Sequence, residues 1–498
     1  MSNIRRQSII SSLVIYAGFG IGLLNTYFFT KQGLFTEAEY GLTGSFIAIS
    51  TMMMAFATLA MPSYIFKFFH YYNDHLTPRR NDLVTWALLV SSIGFVMVMI
   101  AGSVFKHIII RKFGAHSPEL LTYYYWIFPM GLGLTVYTVL EAYAWSLHKS
   151  VFTNFLKEMQ WRFFTTVLIV LFIIKVIPDF DLFIKLYAFG YPVIAVTLLL
   201  YLLINGHIHI TFSISKVTRR YFSKILKLCS FVYAGVLILT ISQVFDSLVL
   251  ASLDGLGVLA VYSLGQLMTS IIQAPQRGII SASISHLSKG WKEKNMELLQ
   301  RVYQRSSLNL LIFSAGIFLL IWLNFTDAVN TFGLKPAYLQ AVNVFFLIGL
   351  SRIVDMGTGV NAQIIATSNY WRFELISGVI LLVFMLPLTY MLTKTYGVIG
   401  PAIANLISMT IYNTIRIVFL WKKFRLFPFS KYSLYTLLWA GLSYAVCYFP
   451  FANMHGFTAL VLRSITFISV YGAGVIGFKL SPDIMPVWET ILKRLGKK

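Results

Sequence analysis

Charge is scarce in this chain. Only 12% of its 498 residues are Asp, Glu, Lys or Arg, where a soluble domain carries about a quarter. Acids are rarer than bases, 18 against 40. So little charge, set against 57% hydrophobic residues, excludes an ordinary water-soluble globule. Cysteine is almost missing: Cys229 and Cys447 both sit in apolar runs and provide neither a disulfide framework nor metal-ligand spacing. A glycine-rich nucleotide loop, a zinc signature and a catalytic triad are also absent. His207 and His209 lie in a basic loop without an acid, too few ligands for a metal. The sequence therefore predicts no cofactor.

What remains is apolar sequence of membrane length. Runs of about 20 residues, the length that crosses a bilayer, recur about fourteen times, from 9–30 to 458–478. The first reads as a retained span, being long and without a small-residue cleavage pattern. The net charge of +22 suggests nucleic acid, but the bases cluster in alternate loops, such as Lys216, Arg219, Arg220, Lys224 and Lys227. That is the positive-inside pattern; it places both termini in the cytoplasm and leaves no nucleic-acid partner. The expectation is an all-α integral membrane protein.

An offset of 222 residues maps landmarks of the first half onto the second. Tyr40 falls on Tyr262, Lys67 on Lys289, and the turn after Lys175 on Gly397. The offset spans six segments, so the halves are parallel repeats, a pattern typical of transporters. The predicted organisation is an N-lobe over 1–205, a basic cytoplasmic linker over 206–228, a C-lobe over 229–421, two appended helices within 432–480 and a basic tail over 481–498.

Ionisable residues inside the spans are few, and a charge at membrane depth is costly enough to need a role. Gln266, Ser270, Gln273 and Arg277 recur at steps of three and four, which puts them on one helical face, with Pro275 expected to kink the helix beside Arg277. On the preceding segment Gln243 and Asp246 form a second polar patch, and Asn25 offers a third in the first span. The functional reading has Arg277, Gln273, Ser270, Gln266, Asn25 and Gln243 lining a polar cavity, with the Arg277 guanidinium meeting an anionic group. Asp246 is then a counter-charge or a proton or sodium site; the alternative is a buried pair with Arg277. Glu141 is either a hydrogen-bonded core acid or a coupling-ion site. Arg352 and Asp355, three apart on one helix, read as a structural ion pair. Arg416 is expected to snorkel at the cytoplasmic edge and Arg463 to sit in the outer interface.

Three strings carry a resemblance. Phe35-Thr36-Glu37-Ala38-Glu39-Tyr40-Gly41-Leu42, Asp246 with the turn Leu253-Asp254-Gly255-Leu256-Gly257 running into Tyr262, and Tyr396-Gly397-Val398-Ile399-Gly400-Pro401 together resemble the polysaccharide-biosynthesis flippases of the MATE-like (MOP exporter) superfamily, the Wzx or RfbX type. The resemblance implies a V-shaped pair of six-helix lobes that moves an undecaprenyl-diphosphate-linked oligosaccharide across the bacterial inner membrane by alternating access. It implies membrane lipids and glycan polymerase machinery as partners, and H+ or Na+ coupling in place of a cofactor. Arg277 matches the position of a cavity arginine in related flippases, whereas their arginines in spans one and two have no counterpart here. Two other readings stay open: a cation-coupled multidrug exporter of the same superfamily, and a membrane polysaccharide polymerase or ligase. The loops on the expected outer side, at most about fifteen residues, count against the enzyme.

Overall fold

A computed structural model describes residues 2–370 and 372–483. The side chains of residues 2–13, 274, 277, 281, 282 and 285 lie outside the described set, as does the basic tail from 484 onward. The described chain is helical and forms two compact units, Met1–Ala260 and Val261–Lys498.

The first unit holds α1 (Ser2–Thr30), α2 (Glu37–Thr58), α3 (Met61–His75), α4 (Leu83–Val104), the short α5 (Lys106–Phe113) and α6 (Pro118–Thr122), and α7 (Ile127–Ser146). Then come α8 (Ser150–Asn154), a π-helical segment over Phe155–Gln160, α9 (Trp161–Ile173), α10 (Phe180–Tyr187), α11 (Gly190–Ile204) and α12 (Lys216–Leu253). The chain continues through α13 (Leu256–Ile272), which crosses the unit boundary, into α14 (Ala274–Lys292), α15 (Met296–Thr331), α16 (Ala341–Gly357), α17 (Asn361–Thr367), α18 (Arg372–Tyr396), α19 (Gly400–Phe424), α20 (Lys431–Tyr448) and α21 (Gly456–Gly477).

Among the described residues ten helical stretches are long and apolar enough to cross a membrane. One of them, Arg372–Phe424, is two helices, α18 and α19, broken at Gly397. Val14–Thr30 and Leu256–Ile272 are apolar but shorter. The 13-residue α9 continues a helix that begins earlier, in α8 and the π segment. The chain is a multi-pass membrane protein.

Local chemistry explains the quoted strings. Thr36 caps α2 in a reciprocal box: its hydroxyl accepts from the Glu39 amide at 3.1 Å, and Glu39 accepts from the Thr36 amide at 2.7 Å. Gly41 then lets α2 lie against the main chain at Leu256, the start of α13; a Cβ on Gly41 would sit 1.8 Å from the Leu256 carbonyl oxygen. Gly41 and Leu256, 215 residues apart in sequence, thus touch in space. Left-handed turn residues also recur at the 222-residue offset. Gly33 (φ 87°) and Gly255 (φ 92°) are 222 apart, and so are Lys175 (φ 61°) and Gly397 (φ 58°).

The expected basic linker is helical from Lys216 onward, because Ser215 caps α12 by accepting from the Thr218 amide. Asp82, fully buried, ties this start to the first unit, accepting from the Ser215 amide at 2.9 Å and the Thr218 hydroxyl at 2.7 Å. Tyr72 and Tyr64 extend the chain of hydroxyls into α3. Farther along, Tyr233 donates to the Phe56 carbonyl of α2 at 3.1 Å, so α12 packs on α2 and α3.

Candidate functional site

The face read from Gln266 to Arg277 is not one helix. Proline lacks an amide hydrogen and its ring collides with the carbonyl four residues back, so α13 ends at Ile272 and α14 restarts after Gln273 with Pro275 in its first turn. Gln266 and Gln273 are half-buried. The Ser270 hydroxyl is taken up by its own helix, donating to the Leu267 carbonyl at 2.6 Å. Arg277 lies in α14, its side chain outside the described residues.

One residue before it, Gln276 leads into a polar network that sequence spacing did not show. Gln276 Nε2 and Asn413 Nδ2 each donate to a carboxylate oxygen of Asp355 at 3.3 Å. Asn413 Oδ1 accepts from the Thr358 hydroxyl at 2.9 Å and from Asn361 Nδ2 at 2.8 Å. Asn361 Oδ1 in turn accepts from Arg416 Nη1 at 3.5 Å. The Arg416 guanidinium donates to Glu374 and to the Tyr412 hydroxyl and lies 3.8 Å from the Tyr412 ring centroid. Helices α14, α16, α17, α18 and α19 are thereby joined through side chains.

This network corrects two expectations. Arg416 does not snorkel; it is 4% exposed and paired with Glu374, 42 residues away. Arg352 and Asp355 form no ion pair: among the described residues no carboxylate lies within 4.0 Å of Arg352, and the Asp355 carboxylate faces amides of α14 and α19 instead. Spacing of three residues puts two side chains on neighbouring parts of a helix but does not fix their rotamers, and the amides compete for the acid. Arg463 is buried, held by Asp327 and by the carbonyls of Phe451 and Met454 at 2.6 Å.

In the first unit Glu141 is buried, with Lys157 Nζ 3.6 Å from its carboxylate; its Oε1 has no hydrogen-bond partner. Lys157 and Glu158 belong to the π-helical segment, and Arg162 follows it, 2.9 Å from Glu158. Helix α1 lies against these groups through small residues: a Cβ on Gly18 would meet the Glu158 carbonyl oxygen at 2.5 Å, and one on Gly22 would meet Arg162 Nε at 3.2 Å. Asn25 completes the seam, donating to the Arg162 carbonyl at 2.8 Å and accepting from Thr166 at 2.7 Å. Its amide is thus spent on helix packing. On α12 Gln243 is exposed, while Asp246 is buried and not without interactions. Lys157, carried on the π-helical segment, therefore stands beside Glu141, while Arg162 pairs with Glu158. The available signal was the i,i+4 pair Glu158–Arg162.

The MatE family model matches residues 232–391. No curated protein matches the chain by sequence. Solved structures match it throughout: "Lipid II flippase MurJ, inward closed conformation" aligns with TM-score 0.72 and 15% identity, over 95% of this chain and 99% of that one. The chain has the MOP-superfamily fold. An inward-facing multidrug-resistance MATE transporter of the MOP superfamily matches that fold at TM-score 0.65, 15% identity, over 83% of this chain and 98% of its own. A MOP transporter from Pyrococcus furiosus, described as having a binding pocket of reverse polarity, matches at 0.54 and 16%, over 84% and 95%. These MOP-fold proteins are transporters and flippases.

Proposed function

We propose that this protein is a flippase of the bacterial inner membrane, with both termini in the cytoplasm. It moves an undecaprenyl-diphosphate-linked oligosaccharide, a repeat unit of O-antigen, capsule or exopolysaccharide, to the outer leaflet by alternating access. The observation that supports this best is the 95% of the chain spanned by a lipid-linked-precursor flippase, against 83% by a multidrug transporter of the same fold. The chemistry suits the task. A glycan head is too polar to cross about 30 Å of hydrocarbon unaided, and the chain keeps Gln266, Gln273 and Arg277 inside apolar segments, where they can replace the water the head gives up. Arg277, with Gln266 and Gln273, is assigned to the diphosphate, since a planar guanidinium binds phosphate oxygens two at a time. Asp246 and Glu141 are the acids available for proton or sodium coupling.

Deleting the gene is expected to make cells accumulate the lipid-linked oligosaccharide in the cytoplasmic leaflet, as measured by leaflet-selective labelling. Wild type should reverse this and Arg277→Ala should not, with membrane levels of the protein unchanged. Accumulation of unpolymerised precursor in the periplasmic leaflet would favour a polymerase instead. Unchanged glycolipid together with drug sensitivity would favour the multidrug exporter.

A further inference from the structure

Four described arginines lie inside the apolar helices α9, α16, α19 and α21. Three of them are neutralised by a carboxylate: Arg162 by Glu158, Arg416 by Glu374 and Arg463 by Asp327. Arg352, the fourth, is not. Among the described residues it has no carboxylate within 4.0 Å and no hydrogen-bond partner. Its Nε is shut off from solvent and unpartnered, while the side chain as a whole is only half-buried.

The neighbours of Arg352 are arranged so as to leave it alone. Asp355, one turn on, is bonded to Gln276 and Asn413. Ser351 donates to Asn405 at 2.7 Å. The residue stands roughly 16 Å along α16 from Ala341 and about 8 Å from its end at Gly357, at 1.5 Å per residue, inside the apolar stretch Pro336–Gly357. A charge inside such a span is costly and ordinarily has a partner; none is found among the described residues, and Asp355, one turn on, is occupied elsewhere.

We propose that Arg352 is an anion-binding residue whose guanidinium takes a phosphate-bearing headgroup at membrane depth in the second unit. Guanidinium is always charged and its donors match phosphate oxygens in pairs. The amides around Asp355 keep that carboxylate from competing for the site. The phosphate comes either from the diphosphate of a polyprenyl-linked substrate or from an anionic phospholipid of the bilayer. The first source rests on the flippase reading and the second does not.

The test uses the full chain in phosphatidylcholine nanodiscs, titrated with undecaprenyl diphosphate in one arm and with increasing phosphatidylglycerol in the other. Binding is read by native mass spectrometry and by the shift in melting temperature. Arg352→Gln is expected to weaken binding of one probe at least tenfold. Arg352→Lys, which keeps the charge but not the fork, should weaken it less, and Asp355→Asn should leave it unchanged. Loss confined to undecaprenyl diphosphate identifies the carried substrate, and loss confined to phosphatidylglycerol identifies a resident lipid; both support the assignment. Equal binding of both probes by wild type and Arg352→Gln overturns it. So does an Asp355→Asn variant that loses binding as fully as Arg352→Gln, because the two would then act as one pair. If Arg352→Gln does not fold, the Arg352→Lys and Asp355→Asn arms carry the comparison: an Arg352→Lys variant as tight as wild type on both probes overturns the forked contact. Lost phosphate binding in a strain whose glycolipids are unaffected by deletion would sink the flippase reading and leave this one standing.

Discussion

Arg416→Ala is expected to cost the protein about 3 kcal/mol or more, because it strands a carboxylate rather than merely deleting a contact. Breaking a fully buried pair from one side leaves an uncompensated charge, and such losses run to about 3–5 kcal/mol; with the Glu374 side chain 32% exposed, this loss falls at the lower end. Arg416 is also the point where three other groups converge: Glu374, the Tyr412 hydroxyl and Asn361. Without it the Glu374 carboxylate, one oxygen of which is already shut off from solvent without a partner, keeps no cation. The comparison that isolates charge from packing is the double variant Arg416→Met, Glu374→Leu. Both charges go together there, and apolar replacement of a buried pair is often near neutral. Melting curves of detergent-purified protein should therefore rank wild type and the double variant together, well above Arg416→Ala. An Arg416→Ala protein that melts with wild type would show that the pair contributes nothing.

Gly41→Ala is expected to be nearly as damaging, for a steric reason. The added methyl would lie 1.8 Å from the Leu256 oxygen and 2.6 Å from its carbonyl carbon. Both are main-chain atoms, so no rotamer change relieves the collision; α2 and the start of α13 must move apart. Overpacking of this kind costs about 1–3 kcal/mol and sometimes more. Gly20, on α1, makes the control, since a Cβ there meets nothing within 4 Å and alanine is the better helix former by about 1 kcal/mol. Monodisperse yield on size exclusion should fall sharply for Gly41→Ala and hold for Gly20→Ala. Equal yields would mean that the close approach of α2 to Leu256 does not exist in the membrane.

The helices and turns were legible because their signals are local. Apolar run length marked the spans, whereas the Thr36–Glu39 cap that starts α2 was present in the sequence but not read from it. The offset of 222 residues was legible, and two pairs of left-handed turn residues recur at it: Gly33 with Gly255, Lys175 with Gly397. Lys175 was not legible as left-handed, since lysine is not favoured there; only Gly397, at the same offset, carries a local signal. The polar interior was much less legible. Arg416 finds Glu374 across 42 residues, and Asp355 answers to Asn413 across 58. No periodicity within one helix encodes a partner on another. The same limit turned Arg352 and Asp355 into an expected pair, because spacing reports which side chains are near and not which competitor reaches the acid first. Pro275 was read correctly as a disruption, but its effect was a restart at Gln273 rather than a bend.

The π-helical segment Phe155–Gln160 has a consequence for how this chain keeps count. A π turn bonds five residues apart instead of four, so it holds one residue more than the α-helix that enters and leaves it. That surplus residue sets the phase of everything after it. Taken up into α geometry, it would swing Trp161 and its successors about 100° around the axis, and Arg162 would leave the groove that Gly22 and Asn25 make for it. The alignment of Lys157, Glu158 and Arg162 with α1 is thus an arithmetic property of the backbone, fixed by a single extra peptide unit.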